Sequence, residues 1–260
     1  MFSINQLQSI HVEISNRCQA KCPMCSRNHH GGISNPLLKE SDWTIQQFKN
    51  IFTPAIKRQI KKITFCGNFG DPLLNFHFVK MLDYIKDDNI YVDIHTNGSL
   101  RSTQFWKDLP KHLPFEHKVV FAIDGLADTH SRYRVGTDYK KIMNNARAFI
   151  NAGGTAEWSM IRFAHNAHQV DAAKEVSKYY KFKYFTVKDS SRFALENTFD
   201  VLNSYGHVVD TLEPHIPEQS IDVDQIPTLV DQSIIDCWAK KQFEVYIDAH
   251  LTLMPCCFLA

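Results

Sequence analysis

The sequence predicts an α/β protein built on a parallel sheet, and three observations carry that expectation. Six short runs rich in Val, Ile, Phe and Tyr read as buried strands, at 9–14, 62–66, 90–95, 118–123, 157–163 and 183–187. Between them lie longer segments with helical spacing, at 42–58, 76–86, 103–112, 139–152 and 169–180; in the fourth, Ile142, Ala146 and Phe149 fall on one face. Such alternation implies parallel pairing and right-handed crossovers, since a helix must carry the chain back across the sheet between strands. A chain of 260 residues with 44% hydrophobic content can bury one large domain of this kind plus a small appendage. The alternation is shared by a doubly wound sheet and a barrel, and in either one reactive groups collect at the C-terminal ends of the strands.

Charge and cysteine usage narrow the setting. A formal net charge of +1 leaves no electrostatic footprint for nucleic acid or a membrane surface. The N-terminus lacks a basic flank followed by an apolar core, and no run approaches the roughly 20 apolar residues that span a bilayer. Reduced cysteines in a cytoplasmic protein are the expectation.

The first strand runs directly into Cys18-Gln-Ala-Lys-Cys22-Pro-Met-Cys25. Three thiolates on one short loop can hold three irons of a [4Fe–4S] cube and leave the fourth for a non-protein ligand. A zinc knuckle with His29 and His30 nearby, or a redox dithiol, are the competing readings of the spacing. The second strand ends in Cys66-Gly-Asn-Phe-Gly70-Asp71-Pro72, where glycines permit close backbone approach and proline fixes the turn. The third ends in His95-Thr96-Asn97-Gly98, which on its own is a turn signal. The fourth leads into Ala122-Ile-Asp124-Gly125, followed by His130-Ser131-Arg132-Tyr133-Arg134. Past the sixth strand, 190–235 carries no strong pattern but contains Pro214, Pro217 and Pro227, which suits a connection wrapping over the sheet. The tail then supplies Cys237, two short alternating runs, and Cys256-Cys257, which read as a metal-binding hairpin.

The stretch 12–27 resembles the opening of radical S-adenosylmethionine (radical SAM) enzymes, particularly those with a C-terminal SPASM or twitch iron–sulfur extension. The resemblance implies a partial (β/α)6 TIM-type barrel with a small C-terminal β-hairpin metal-binding extension. It divides the chain into a core barrel at 1–190, a connection at 191–235, and the start of an auxiliary-cluster segment at 236–260. By the same resemblance Cys18, Cys22 and Cys25 bind a [4Fe–4S] cluster whose fourth iron is chelated by SAM, and Met24 packs on the SAM adenine. Gly70, Asp71 and Pro72 look like the family's Gly-Glu-Pro segment that holds the SAM amino group, with Asp71 one methylene shorter. Thr96 and Asn97 are implied near the SAM cleft. Asp124 and Arg134 match the block that follows the fourth strand, where a guanidinium suits capture of the SAM carboxylate. Ala122 and Ser131 depart from the serine and aspartate common there. Cys237, Cys256 and Cys257 are similar to ligands of an auxiliary cluster, although Leu251 stands where relatives have glycine, and such a cluster is completed by Cys66, by another ligand or not at all.

The implied chemistry is reductive cleavage of SAM to a 5′-deoxyadenosyl radical that takes hydrogen from a substrate, first a peptide or protein side chain and alternatively a small molecule or nucleoside. The implied partners are SAM, that substrate, and a reductant such as flavodoxin or ferredoxin, with neither membrane nor nucleic acid. A zinc- or SAM-binding protein without catalysis is the reading from another class. No general acid or base is singled out among Asp93, His95, His165 and Lys188.

Overall fold

Each of the six apolar runs forms a strand. The computed structural model describes residues 3–190, 192–193, 197–216, 231 and 236–259. β1 (Ser9–Val12) is followed by a small hairpin of β2 (Asn28–His29) and β3 (Ile33–Ser34). The remaining barrel strands are β4 (Lys62–Phe65), β5 (Tyr91–Thr96), β6 (His117–Ala122), β7 (Ala156–Arg162) and β8 (Tyr184–Asp189). They pair in the order β1-β4-β5-β6-β7-β8, parallel throughout. This is the parallel sheet of a partial barrel.

The helices pack on one face of that sheet, because the strands present their apolar residues to it at every second position. Ile10, Val12, Ile63, Phe65, Val92, Ile94, Val119, Phe121, Trp158 and Met160 share one core with Phe48, Met81, Trp106 and Phe149 from the helices. The alternate positions carry Ser9, His11, Thr64, Asp93, Lys118, Glu157 and Ser159. On that face Lys118 Nζ meets Glu157 Oε2 at 2.7 Å and Asp93 Oδ2 at 3.8 Å. A closed barrel fills this space with bulky branched side chains; here it is polar and leaves room for ligands.

Three expectations need correction. The segment 42–58 is two helices, α1 (Ile45–Ile51) and α2 (Pro54–Gln59), since Pro54 cannot continue a helix and starts a new one capped by Thr53. α3 (Phe78–Ile85) forms as expected, whereas α4 (Thr103–Asp108) tightens at Pro110 into a 3₁₀ turn, Leu109–His112. The short α5 (His130–Tyr133) is added, and α6 (Tyr139–Asn151) and α7 (Val170–Tyr179) match. The supposedly patternless stretch after β8 contains an antiparallel hairpin, β9 (Phe199–Leu202) and β10 (Val208–Leu212). Its alternation is real but short, with Val201 and Leu212 packed inward and the turn closed by Gly206 at φ +81°. Pro217 and Pro227 lie outside the described residues.

The tail forms the expected hairpin, with β11 (Glu244–Ile247) antiparallel to β12 (Leu253–Met254). It is not a separate appendage: β11 adds parallel to the free edge of β1, so the main sheet has eight strands. Ser9 Oγ donates to Glu244 Oε2 at 2.7 Å and Trp43 Nε1 donates to the Asp248 carbonyl at 2.9 Å, tying the tail to the barrel.

Two buried histidines make stability depend on pH. Burial lowers the His130 pKa to about 3 and that of His11 to about 4, so both stay neutral in the folded chain while the unfolded chain protonates near about 6.5. Below that value the unfolded state binds more protons, so stability present at neutral pH is lost as pH falls from about 6.5 towards about 4. Thermal unfolding of the protein is expected to move to lower temperature between pH 7 and pH 5, each histidine contributing up to about 1.4 kcal/mol per pH unit. An unchanged midpoint over that interval would contradict the neutral, buried placement.

Candidate functional site

The C-terminal ends of the strands enclose a cavity of about 330 Å³. Cys18, Cys22 and Cys25 form one side and the loop from Cys66 to Asp71 another. Thr96, Asn97 and Arg134 lie beside them, and His95, Ser159, Lys188 and Arg192 extend the wall towards β8.

The cysteine loop leaves β1 and is pinned at several points. Lys21 N donates to the Val135 carbonyl at 2.8 Å and Cys25 N to the Cys22 carbonyl at 3.0 Å. Arg192 Nη1 donates to the Met24 carbonyl at 2.6 Å. Beneath lies a second apolar cluster in which Ala20, Cys22 and Met24 pack with Tyr133, Phe163, Val201 and Leu212, so the β9–β10 hairpin covers the loop. Met24 is only 7% exposed there and is not among the residues lining the cavity. There the β9–β10 hairpin, unforeseen in the sequence, supplies its apolar contacts through Val201 and Leu212.

None of the three cysteines is in a disulfide. Burial, reinforced by the charge of Asp71, pushes the Cys18 thiol up to about 12, and burial raises Cys22 despite the guanidinium of Arg134 beside it. Asn97 Nδ2 donates to Cys18 Sγ at 3.7 Å and Arg134 Nη1 to Cys22 Sγ at 3.9 Å. Among the described residues no three His, Cys, Asp or Glu side chains converge as around a single ion. A [4Fe–4S] cube asks for a different arrangement, with thiolates spaced around it on separate irons. Three sulfurs on one cavity wall, two of them facing N–H donors, suit that group.

The glycine-rich loop approaches the backbone so closely that side chains are excluded. A Cβ on Gly70 would stand 1.8 Å from the Ser15 carbonyl oxygen, and one on Gly67 2.5 Å from Glu13 Oε1. Asp71, 3% exposed, spends its carboxylate internally. It accepts from Leu73 N at 3.1 Å, Thr96 Oγ1 at 2.8 Å, Asn97 N at 2.9 Å and Asn97 Nδ2 at 2.6 Å. Asp71 thus ties the β5 end to the loop, and Pro72 opens the buried 3₁₀ turn behind it without lining the cavity. Thr96 and Asn97 do line it, and Asn97 Oδ1 accepts from Gln19 Nε2 at 2.8 Å.

Arg134 reaches the cavity from the turn after α5. Its Nε donates to Asp124 Oδ2 at 2.5 Å, and Asp124, fully buried, also accepts from Ile161 N at 2.6 Å. Burial alone would lower the arginine pKa, but Asp124 and Cys22 reverse the effect and hold the guanidinium firmly charged. Asp124 acts through Arg134 and does not itself line the cavity.

The C-terminal cysteines stand apart from this wall. Cys237 Sγ caps the turn Trp238–Lys241 by accepting from Lys240 N at 3.4 Å. Cys256 and Cys257 follow β12, and the Cys257 carbonyl accepts from Asn68 Nδ2 at 2.6 Å. Cys66 lines the cavity, and burial pushes its thiol up to about 12. His95 also lines the cavity, 3.5 Å from Asp93, whereas His165 stacks on Phe163 with both ring nitrogens buried and unpartnered. Sequence reasoning missed Gln19, Arg192 and Glu13; a carboxylate between Val12 and Ile14 in a buried strand was the signal for the last.

A partial barrel with a three-cysteine loop at the mouth of its first strand defines the class. The family model of the Radical SAM superfamily matches residues 12–164, and the chain belongs to that superfamily. Its members work with a [4Fe–4S] cluster and SAM. The chain is 25% identical over 221 residues to the tungsten-containing aldehyde ferredoxin oxidoreductase cofactor-modifying protein of Pyrococcus furiosus, covering 84% of this chain and 55% of that one. Among solved structures it resembles Streptococcus suis SuiB bound to precursor peptide SuiA, with a TM-score of 0.64 at 13% identity, over 98% of this chain and 61% of that one. It also resembles anSMEcpe with bound AdoMet, with a TM-score of 0.56 at 19% identity, over 78% of this chain and 54% of that one. At these identities the structural likeness speaks for the fold. The chain spans little more than half the length of the curated relative. Among the described residues no helix is long and apolar enough to cross a membrane.

Proposed function

We propose that this chain is a radical SAM enzyme in which Cys18, Cys22 and Cys25 hold the cluster and the loop at Gly70 and Asp71, together with Thr96, Asn97 and Arg134, receives SAM. The observation that carries the reading is the meeting of these residues, from four separate stretches of sequence, on one cavity. When bound, the cluster supplies the electron that splits SAM into methionine and a 5′-deoxyadenosyl radical, which removes a hydrogen atom from substrate.

The rest of the work belongs to the chain. Arg134, kept charged by Asp124, offers its remaining N–H donors to a carboxylate in the cavity. Asn97 and Arg134 donate towards the Cys18 and Cys22 sulfurs and steady their orientation. Gly67 and Gly70 let the glycine-rich loop pack against Glu13 and Ser15 and so present its cavity-lining residues to a ligand. The β9–β10 hairpin and its apolar cluster keep water from the back of the cysteine loop.

A peptide or protein side chain is the substrate class we favour. The wall away from the cysteines carries His95, Ser159, Lys188 and Arg192, which suits a polar, hydrogen-bonding substrate, and SuiB is a neighbour with a bound precursor peptide. A small-molecule substrate is the second reading, favoured by the cofactor-modifying role in the name of the Pyrococcus furiosus relative. A cytoplasmic setting with a flavodoxin or ferredoxin as reductant fits the cluster's need for electrons and reduced thiols. The barrel at 1–190 would carry this chemistry, with 191–235 connecting it to the tail.

In this reading Cys237, Cys256 and Cys257 serve a second cluster, with Cys66 the nearest additional thiol. Anaerobic reconstitution with iron and sulfide, followed by addition of SAM and dithionite, tests the function through release of 5′-deoxyadenosine. Cys237→Ala is expected to keep that release while iron content falls by about one cluster per chain; an unchanged iron content would make the tail cysteines structural.

A further inference from the structure

The glycine-rich loop is held from behind by a buried carboxylate that the proposed chemistry does not use. Glu13, at the end of β1, is 1% exposed. Its Oε1 accepts from Phe69 N and from Gly70 N, both at 2.8 Å. Its Oε2 accepts from Tyr246 Oη at 2.7 Å, and Tyr246 lies fully buried on β11. Tyr246 in turn meets the edge of His11 at 4.8 Å between ring centroids, and His11 Nε2 lies 2.7 Å from the Cys66 carbonyl. Asn68 completes the attachment through the Cys257 carbonyl. Glu13, His11, Tyr246 and Cys257 are not among the residues that line the cavity.

A buried carboxylate is costly unless its lone pairs are used, and burial does raise the Glu13 pKa against the pull of Tyr246, Phe69 and Gly70. Two adjacent backbone N–H groups aimed at one oxygen also determine the orientation of their peptide planes. The carbonyls of Asn68 and Phe69 and the Cα of Gly70 therefore face a determined direction beside Asp71. A loop with glycines at both ends has no side-chain packing of its own to achieve this.

We propose that Glu13 and Tyr246 are a positioning pair for the cofactor loop, so that the C-terminal strand β11 is part of the SAM-binding apparatus in addition to any metal it carries. The inference rests on the reading that this loop receives SAM, but the clamp itself is a property of the chain without ligand. Tyr246 does not line the cavity, so its influence on SAM passes through Glu13 and the loop.

The test compares Tyr246→Phe, Glu13→Gln and Glu13→Ala with the parent protein, all reconstituted anaerobically. Backbone amide exchange over 66–72 is measured without ligand, and SAM affinity by equilibrium dialysis. Tyr246→Phe removes one hydroxyl from a packed ring and is expected to fold, to speed exchange at Phe69 and Gly70, and to weaken SAM binding about tenfold. Glu13→Gln keeps an acceptor for both amides and a polar partner for Tyr246, so it is expected to stay within about threefold of the parent. Glu13→Ala, which keeps neither, should bind SAM most weakly. Loop exchange unchanged in Tyr246→Phe, or faster equally in every strand of the sheet, would overturn the positioning role in favour of a general packing one. Failure of the parent to bind SAM would instead strike the functional reading and leave the exchange result to judge the clamp.

Discussion

A Cys22→Ala protein is expected to fold and yet to release no 5′-deoxyadenosine. Cys22 is buried among Ala20, Met24, Tyr133 and Phe163, and removing one sulfur there leaves a small void whose cost, about 1–2 kcal/mol, does not unfold a domain of this size. The loss falls on the cavity, where two remaining thiolates cannot hold a cube that needs three. Iron per chain should drop with the activity, by one cluster, and cleavage of SAM should fall at least 100-fold. Circular dichroism like the parent's, with cleavage retained, would remove this cysteine from the metal site.

The second large effect is expected at Asp124. Its carboxylate is fully buried, bonded to Arg134 Nε and Ile161 N, and among the described residues Arg134 has no other carboxylate as a hydrogen-bonded partner. Asp124→Ala leaves a guanidinium that is only 17% exposed without its counter-charge, a change that costs up to roughly 3–5 kcal/mol. For a chain of this length that corresponds to a fall in melting temperature of roughly 10 °C. SAM affinity should fall with it, since the arginine that faces the cavity loses its anchor. A shift of less than about 2 °C, measured by calorimetry, would show that Arg134 is solvated and not dependent on the pair.

Much of this was legible in residue types alone. The six strands announced themselves because each must be apolar where it meets the helices, as Ile10, Phe65, Ile94, Phe121 and Trp158 do. The polar rim was legible because Cys, Gly, Asp and Asn interrupt those runs at the strand ends. What stayed hidden depended on partners distant in sequence. Asp71 is bonded to Thr96 and Asn97, and Met24 packs with Val201 and Leu212, contacts that are not visible from local spacing. The position of β11 beside β1 follows from non-local pairing, which no periodicity encodes. Pro54 and Pro110, by contrast, are local signals that break the two long helical segments.

The central claim is that the cavity at the cysteine loop binds and reductively cleaves SAM. Anaerobic reconstitution, addition of SAM with dithionite, and quantification of 5′-deoxyadenosine against iron per chain test it most directly. The account predicts 5′-deoxyadenosine that depends on both the reductant and the cluster. A fully loaded cluster that yields none, or a protein that takes up zinc in place of iron, would contradict it.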